Sequence, residues 1–364
     1  MGDAMIFDPI LDLFRGKAVT IPPMDGAFRP NTALDEADAV LEIEAPDNLA
    51  FDGTHLLFSR GPDVLSLTPG SATPERVEQL PATVTAMAAG PDRALAIACD
   101  DGSIVIDGGK HADKRLTPAN LGNLACPTAL AFDGADHLLV AQGSVKHRAS
   151  DWAVDLMEKN AGGSLWRIDL ESGAAQRLAG ALAFPCGILI QGERIAVAES
   201  WRHRLIAIPR QGGTPQPLLT KLPGYPARLA PASDGGAWLA LFAPRNRLIE
   251  FVLLESDYRA AMMREIERPH WIAPALVSGA SFLEPLQSGG VKTMGIHKPW
   301  SPSRSYGLVV RLDAALQPVA SFHSRANGRR HGITSVIEAN GHVLATSKGG
   351  NAILAIDVHA ESGA

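Results

Sequence analysis

The sequence has few cysteines, and their arrangement does not suit a disulfide framework. Cys99, Cys126 and Cys186 make an odd number, and no Cys-x-x-Cys pair occurs. Small secreted scaffolds use even sets of cysteines, whereas unpaired cysteines are typical of a reducing compartment. We therefore expect a cytoplasmic protein without disulfide bonds.

The chain also lacks long basic or apolar runs. Its 33 basic and 39 acidic residues give a net charge of −6, and no basic stretch is long enough to follow a phosphate backbone. No apolar stretch could cross a membrane, and the first residues, MGDAMIFDPILDLFRGK, lack the basic start of a secretory signal. These absences argue against nucleic acid as a partner, against a membrane span and against secretion.

Metal-binding spacing is missing among the histidines. No His-x-His or His-Glu-x-x-His motif occurs, and the candidates are scattered along the chain. They are His147, His270, His297, His323 and His331. A zinc site is therefore not predicted.

The N-terminal residues could form a short amphipathic helix. Apolar residues from Ile6 to Phe14 share one helical face, and the opposite face is acidic rather than basic. Such a helix is expected to pack on the domain or on a second subunit rather than on a membrane. We define residues 1–38 as an N-terminal extension packing on the domain and leave a homo-oligomer open.

What the sequence does have is many turns between short apolar runs. The 364 residues are 46% hydrophobic and include 35 glycines and 26 prolines. This composition favours one large all-β domain, residues 39–364. The clearest repeating stretch is Phe184 to Ile208, FPCGILIQGERIAVAESWRHRLIAI, which reads as three short strands separated by turns.

Similar meanders occur six times along the chain. The other five begin near Asp47, Thr83, Pro127, Pro226 and Ile333. Five units are followed by a fourth strand, but the sixth is not, and AVLEIE at Ala39 to Glu44 has no other partner. If that strand joins the last unit, the ring closes without open edges. The sequence therefore predicts a six-bladed β-propeller closed by an N-terminal strand.

Two units are interrupted between their second and third strands. The insertions are residues 143–162 and 244–305, and both contain apolar residues at helical spacing. Ser150 is a candidate N-cap for the first helix, and the second helical stretch should stop before Pro269. Because this connection lies on the face where the innermost strands begin, we expect two lids over one tunnel mouth, which is the default site for a small molecule.

Three stretches resemble the strictosidine synthase-like proteins, within the wider gluconolactonase and paraoxonase group of propellers. They are LPGYPARL at Leu222 to Leu229, FPCGILI with VAESWRHRLIAI, and ITSVIEANGHVLATS at Ile333 to Ser347. The resemblance covers all six units and implies a six-bladed propeller with an axial site. It implies function less specifically, because one scaffold hosts several chemistries.

The resemblance implies two kinds of axial chemistry. Metal-dependent relatives hold calcium at the starts of several innermost strands, where this chain has Asp47, Thr128, Cys186 and, in place of an acid and an amide, Ala227 with Arg228. Only Asp47 is a suitable ligand, so we expect no metal cofactor, with calcium at Asp47 left open. The plant synthases use a glutamate where Thr334 stands, which makes strictosidine formation doubtful.

Several side chains are candidates for the site, each with a structural alternative. Asp47 is a base paired with Arg228 or a purely structural partner of it, and Cys186 is a nucleophile activated by Arg228 or His331, or a small buried residue. The remaining candidates for contact with a ligand are Thr128, Thr334, His331, Trp152, Trp271 and Trp300. The aromatic residues suit an apolar or aromatic ligand, or else they anchor the lids.

Two functions remain open from the sequence. The first is a small-molecule enzyme that hydrolyses a lactone or ester, or catalyses a lyase or condensation step, without a metal, with Arg228 polarising the substrate and Asp47 as base. The second is a binding or scaffold propeller that has lost its chemistry.

Overall fold

The computed structural model describes residues 21–68, 70–119, 124–279, 281, 283–285 and 303–358, and the backbone of a small hairpin formed by Lys292–Thr293 and Ile296–His297. The helix predicted from Ile6 to Phe14 lies outside these residues, as does the end of the chain after position 358.

The apolar runs and turns form six antiparallel sheets of four strands each in the described residues, which confirms the predicted propeller. The strands are given from the axis outwards. Blade 1 consists of Asp47–Phe51, Leu56–Arg60, Asp63–Leu67 and Glu75–Gln79, and blade 2 of Val84–Ala89, Leu95–Cys99, Ile104–Asp107 and Arg115–Leu116. Blade 3 consists of Pro127–Phe132, His137–Gln142, Gly163–Asp169 and Ala175–Leu182. Blade 4 consists of Pro185–Gln191, Arg194–Glu199, Arg204–Pro209 and Gln216–Leu219, and blade 5 of Gly224–Pro231, Ala237–Pro244, Gly307–Leu312 and Pro318–Ser324. Blade 6 consists of Ile333–Ala339, His342–Ser347, Ala352–Ile356 and Asp38–Glu42.

The ring closes through the N-terminal strand, as predicted. Asp38–Glu42 pairs antiparallel with Ala352–Ile356 at the outer edge of blade 6. Each innermost strand lies beside the innermost strands of the two neighbouring blades, including blade 1 beside blade 6. This pairing supplies the fourth strand of blade 6 and so closes the ring of blades.

The core lies between the blades rather than at one centre. The second strand of blade 5, AWLALFAP at Ala237–Pro244, is buried at every position because blades cover both of its faces. Blades 4 and 5 approach closely at Gly187, where a Cβ atom would lie 2.4 Å from the carbonyl oxygen of Ala227. A side chain there would push the innermost strands apart, which explains a glycine at this position.

Both insertions fold as helical lids. The first contains a 3₁₀ turn, Ala149–Asp151, followed by the helix Trp152–Met157. The second contains the helices Arg247–Leu254 and Ser256–Glu265 and the 3₁₀ turn Arg268–His270. The helix Arg247–Leu254 begins after Asn246, whose Oδ1 accepts a hydrogen bond from Leu248 N at 2.9 Å.

Two details of the lids differ from the prediction. Asp151, not Ser150, precedes the first helix, because the Ser150 hydroxyl instead donates to Asp100 Oδ2 at 2.7 Å. The second helical stretch is divided at Glu255 and ends at Glu265, where Ile266 adopts an extended conformation four positions after Met262. The helical stretch therefore ends before Pro269, as expected, but it consists of two helices instead of one.

The described part of the N-terminal extension lies against blade 5. It contains a 3₁₀ turn, Gly26–Phe28, and a short helix, Ala33–Glu36. Asn31 Nδ2 donates to the carbonyl oxygen of Ser321 at 2.8 Å, which ties the extension to the outermost strand of that blade.

Two further 3₁₀ turns lie outside the extension and the lids, at Pro91–Arg93 and Ser200–Arg202. None of the described helices has the length and apolar character needed to cross a bilayer.

Candidate functional site

A β-bulge interrupts the innermost strand of every blade near its start. The register with the second strand shifts after Asp47, Val84, Pro127, Pro185, Pro226 and Ile333. The residues in these bulges include Asn48, Thr85, Thr128, Cys186, Arg228 and Thr334. Bulges redirect side chains and are common beside active sites. Here they give each blade an irregular residue at the same end of the tunnel.

Side chains from these strand starts line one cavity of about 290 Å³ at the tunnel mouth. The cavity also contacts both lids, through Trp152 of the first and Leu276 of the second. The predicted site residues that line it are Asp47, Thr128, Cys186, Arg228, Thr334 and Trp152. The structure therefore brings together six candidates that are distant in the sequence.

Asp47 is held between two cations at the inner end of this cavity. Arg228 Nη1 lies 3.3 Å from Asp47 Oδ1, and Lys348 Nζ lies 2.9 Å from Oδ2. Asp47 Oδ1 also accepts a hydrogen bond from the backbone N–H of Asn48 at 2.8 Å. The cluster of one carboxylate and two cations carries a net positive charge.

The environment of Asp47 acts on its pKa in two opposite directions. Burial alone would raise the pKa of the carboxyl, because a charge is poorly solvated inside the protein. The charges of Lys348 and Arg228 outweigh this effect and hold the pKa well below its usual range. Asp47 is therefore ionised at neutral pH, and its basicity depends on whether both cations stay bound to it.

Arg228 also spans the tunnel. Its Nη1 donates to the carbonyl oxygen of Thr334 at 3.2 Å, and its Nη2 donates to that of Thr85. The same side chain lines the mouth cavity and a second cavity of about 50 Å³ that lies deeper along the innermost strands. Arg228 therefore separates the two cavities, and its guanidinium is fixed by groups from three blades.

Cys186 lies beside this cluster as a neutral thiol. Burial raises the pKa of Cys186, and the charge of Arg228 only partly offsets that rise. A nucleophilic cysteine needs a lowered pKa so that thiolate is present. The geometry thus favours the structural alternative for this residue.

The two threonine candidates use their hydroxyl groups within the protein. Thr128 Oγ1 donates to a backbone carbonyl oxygen, with Ala141 O at 3.1 Å and Pro185 O also within reach. Thr334 Oγ1 lies 3.1 Å from Thr346 Oγ1. Both side chains shape the cavity wall.

Two other candidates, His331 and Trp271, do not line the cavity. His331 is buried, and its ring nitrogens contact Ser305 Oγ at 2.7 Å and the carbonyl oxygen of Arg325 at 2.8 Å. Trp271 is also buried and donates its indole N–H to Ile266 O, within the second lid. Trp300 lies outside the described residues.

The most important residue that the sequence reasoning missed is Lys348. It follows the second strand of blade 6 directly, as Asp100 follows the second strand of blade 2, and both line the cavity. In the sequence this connection is conspicuous only in blades 3 and 5, where it is long. The connection after the second strand lies at the tunnel mouth in every blade, and that position would have indicated both Asp100 and Lys348.

The residues around Asp47 do not fit a calcium ion. Calcium takes six to eight oxygen ligands, but both carboxylate oxygens of Asp47 face cations. The neighbouring bulge positions supply a thiol at Cys186 and a guanidinium at Arg228. The described residues also contain no group of three or more His, Cys, Asp and Glu side chains that could hold a metal.

Comparisons with known proteins agree with the fold. No protein-family model matches the chain, and no curated protein matches it. A gluconolactonase from Xanthomonas campestris matches 87% of this chain and 87% of its own, with 11% identity and a TM-score of 0.54. A Northeast Structural Genomics Consortium target, described as a proposed gluconolactonase, matches 88% of this chain and 91% of its own, with 8% identity and a TM-score of 0.53. Identity this low establishes the shared propeller fold; the closer resemblance to strictosidine synthase-like proteins stays a prediction.

Proposed function

We propose that the tunnel mouth is the active site of a small-molecule hydrolase that opens a lactone or cleaves an ester without a metal. The observation that carries this proposal is the convergence of Arg228 and Lys348 on Asp47 at the inner end of a small cavity. Two cations fixed in a partly buried pocket can stabilise the negative charge that develops on a carbonyl oxygen during hydrolysis. A gluconolactonase with the same fold is consistent with a lactone substrate.

Substrate binding would also change Asp47. When a substrate oxygen takes hydrogen bonds from Lys348 or Arg228, the carboxylate loses part of the charge that holds its pKa low. Burial then raises the pKa toward the range that a general base needs at neutral pH. Asp47 accepts a proton from the attacking water, the carbonyl carbon forms a bond to the water oxygen, and the bond to the leaving alkoxide breaks as the proton passes to it.

The experiment is turnover of a panel of lactones and esters by the wild-type protein, with EDTA present. We expect hydrolysis of at least one substrate, and Arg228→Met should lower its kcat/KM by about 100- to 1,000-fold, as the loss of an oxyanion-stabilising donor does. Asp47→Asn should lower kcat in the same way. Arg76→Met is the matched control, because Arg76 is an exposed arginine on blade 1, far from the cavity lining, and it should leave turnover unchanged.

Activity that EDTA abolishes and calcium restores would contradict the metal-free mechanism. Equal activity of the Arg228→Met variant and the wild type would contradict the role of this cation pair.

A second candidate is a binding protein without catalysis. It is favoured by the low pKa of Asp47 and the raised pKa of Cys186, because neither group is a ready base or nucleophile before a ligand arrives. A wild type that binds small carboxylates but turns over no substrate would support this candidate. A condensation of the strictosidine synthase type is less supported, because a hydroxyl group bonded to Thr346 stands at Thr334.

A further inference from the structure

Four aromatic side chains form one wall of the tunnel mouth, and the proposed hydrolysis makes no use of them. Trp152, Phe184, Trp201 and Phe242 all line the cavity. The rings of Trp201 and Phe184 are stacked, with centroids 4.5 Å apart and planes inclined by 23°. The rings of Trp152 and Phe242 pack in an edge-to-face arrangement, with centroids 5.4 Å apart. Because these rings contact each other, they present a continuous apolar surface to a ligand.

Trp201 is oriented by a carboxylate buried in the first lid. Its indole N–H donates to Asp155 Oδ1 at 2.8 Å, and Asp155 has no exposed surface. The other carboxylate oxygen accepts a hydrogen bond from Asn160 Nδ2 at 3.1 Å. Burying a carboxylate is unfavourable unless its hydrogen bonds are made. The bond between Asp155 and Trp201 therefore fixes the ring that joins the lid to the cavity wall.

The two ends of the cavity differ in chemistry. The inner end carries the positive charge of Arg228 and Lys348 beside Asp47. The wall toward the lids is formed by the aromatic rings together with Asp100 and Ser150, which are hydrogen-bonded to each other. A volume of about 290 Å³ lies at the small end of ligand pockets, which suits one ring and a short polar group.

We propose that the site selects small molecules in which a carbonyl or carboxylate group is joined to an aromatic ring by a linker of one or two atoms. Trp201 determines this specificity, and Asp155 is its positioning residue. The inference rests on the proposed function for the place of the polar group, and it names the substrate class of that same site.

The first test compares two ligands of matched size by the quenching of tryptophan fluorescence and by calorimetry. Phenylacetate carries an aromatic ring, and cyclohexylacetate carries a saturated one. We expect phenylacetate to bind about 3- to 10-fold more tightly, as contacts between aromatic rings allow. In turnover, the aromatic lactone dihydrocoumarin should have a lower KM than δ-valerolactone.

The second test uses variants of the wall. Asp155→Leu should raise KM for dihydrocoumarin by about 3- to 10-fold while kcat changes by less than about 2-fold, because the ring loses its orientation but the cations remain. Asp155→Asn keeps an oxygen acceptor and should restore most of the affinity. Asn160→Ala, which removes the other hydrogen bond of Asp155, is the control.

Variants at Trp201 keep the inference testable if Asp155→Leu fails to fold. Trp201→Phe keeps a ring but loses the N–H donor, and Trp201→Leu removes the ring, so preference for phenylacetate should fall in the first and disappear in the second.

Equal affinity of the wild type for phenylacetate and cyclohexylacetate, or no binding of either, would overturn the inference. A loss of affinity in the Asp155→Leu or Trp201→Leu variant that is equal for phenylacetate and cyclohexylacetate would also overturn it. If phenylacetate is preferred but no lactone or ester is hydrolysed, the hydrolase proposal fails and this inference stands. If hydrolysis depends on Arg228 but shows no preference for aromatic substrates, the hydrolase proposal stands and this inference fails.

Discussion

At the scale of single residues, the properties of the site depend on the charges around one carboxylate. Asp47 is buried, and burial alone would favour its neutral form. Lys348 and Arg228 reverse this preference, so the ionised carboxylate contributes to stability in the folded protein. The same pairing makes Asp47 a weak base in the free protein and a stronger one whenever a ligand competes for the cations.

Lys348→Met should therefore lower stability and shift its pH dependence. The folded-state pKa of Asp47 lies below its unfolded value of about 3.9, so its contribution is present above that value and is lost as the pH falls toward the folded pKa. Without Lys348 that folded-state pKa rises toward the unfolded value, so the contribution is smaller and its loss is complete at a higher pH. We expect a decrease of about 1–3 kcal/mol in the free energy of unfolding at pH 7, measured by urea denaturation.

Lys146→Met provides the comparison for this experiment, because Lys146 is an exposed lysine 3.8 Å from Glu158. A surface pair of this kind contributes about 0–1 kcal/mol. Equal effects of the two substitutions at pH 7 would show that the pairing with Asp47 does not matter.

At the scale of secondary structure elements, one strand and two lids decide whether the cavity exists. The strand Asp38–Glu42 completes blade 6 and so closes the ring around the tunnel. The lids bring Trp152 and Leu276 over its mouth, and the first lid is tied to blade 2 by hydrogen bonds from Ser150 to Asp100. The innermost strands supply the polar groups, and these peripheral elements enclose them.

Leu41→Ala should destabilise the fold through this closing strand. Leu41 packs with Leu49, Leu56 and Ile353, so truncation leaves a cavity between blades 1 and 6 and should cost about 2–5 kcal/mol. Val40 is the neighbouring residue on the exposed side of the same strand, and Val40→Ala should cost less than about 0.5 kcal/mol. Thermal and urea unfolding of the two variants measure the difference; similar midpoints for both would mean that the strand is not needed for closure.

At the scale of the whole molecule, the propeller places six strand starts from distant parts of the chain around one axis. Each bulge contributes a side chain that local sequence does not connect to the others. In this chain those positions bring together a carboxylate, a guanidinium, a thiol and hydroxyl groups, with Lys348 beside them. Two of the side chains at the centre of the ring, Arg228 and Lys348, are cationic.

Calcium should accordingly have little effect on thermal stability. A site filled at 100 times its Kd would add about 2.7 kcal/mol to the free energy of unfolding. We expect the Tm in EDTA and in millimolar calcium to differ by less than about 1 °C, measured by calorimetry at constant ionic strength. A calcium-dependent rise of several degrees that disappears in Asp47→Asn would show that Asp47 does hold calcium.

The sequence by itself determined the repeating architecture. Alternating apolar residues and turn residues specify short strands locally, and a strand without a partner at Ala39 to Glu44 predicted how the ring closes, which Asp38–Glu42 confirms. The starts of the units agree closely: those expected near Asp47, Thr83 and Pro127 correspond to innermost strands that begin at Asp47, Val84 and Pro127.

The tertiary structure alone decided which charges meet. Lys348 lies 301 positions after Asp47, and a turn lysine carries no local signal of its partner. Trp271 lies within the second lid and His331 follows it in the sequence, yet both are buried and make hydrogen bonds to Ile266 O and Arg325 O instead of lining the cavity. Side-chain direction at a bulge and contacts between distant blades depend on the packed ring, and periodicity along the chain contains neither.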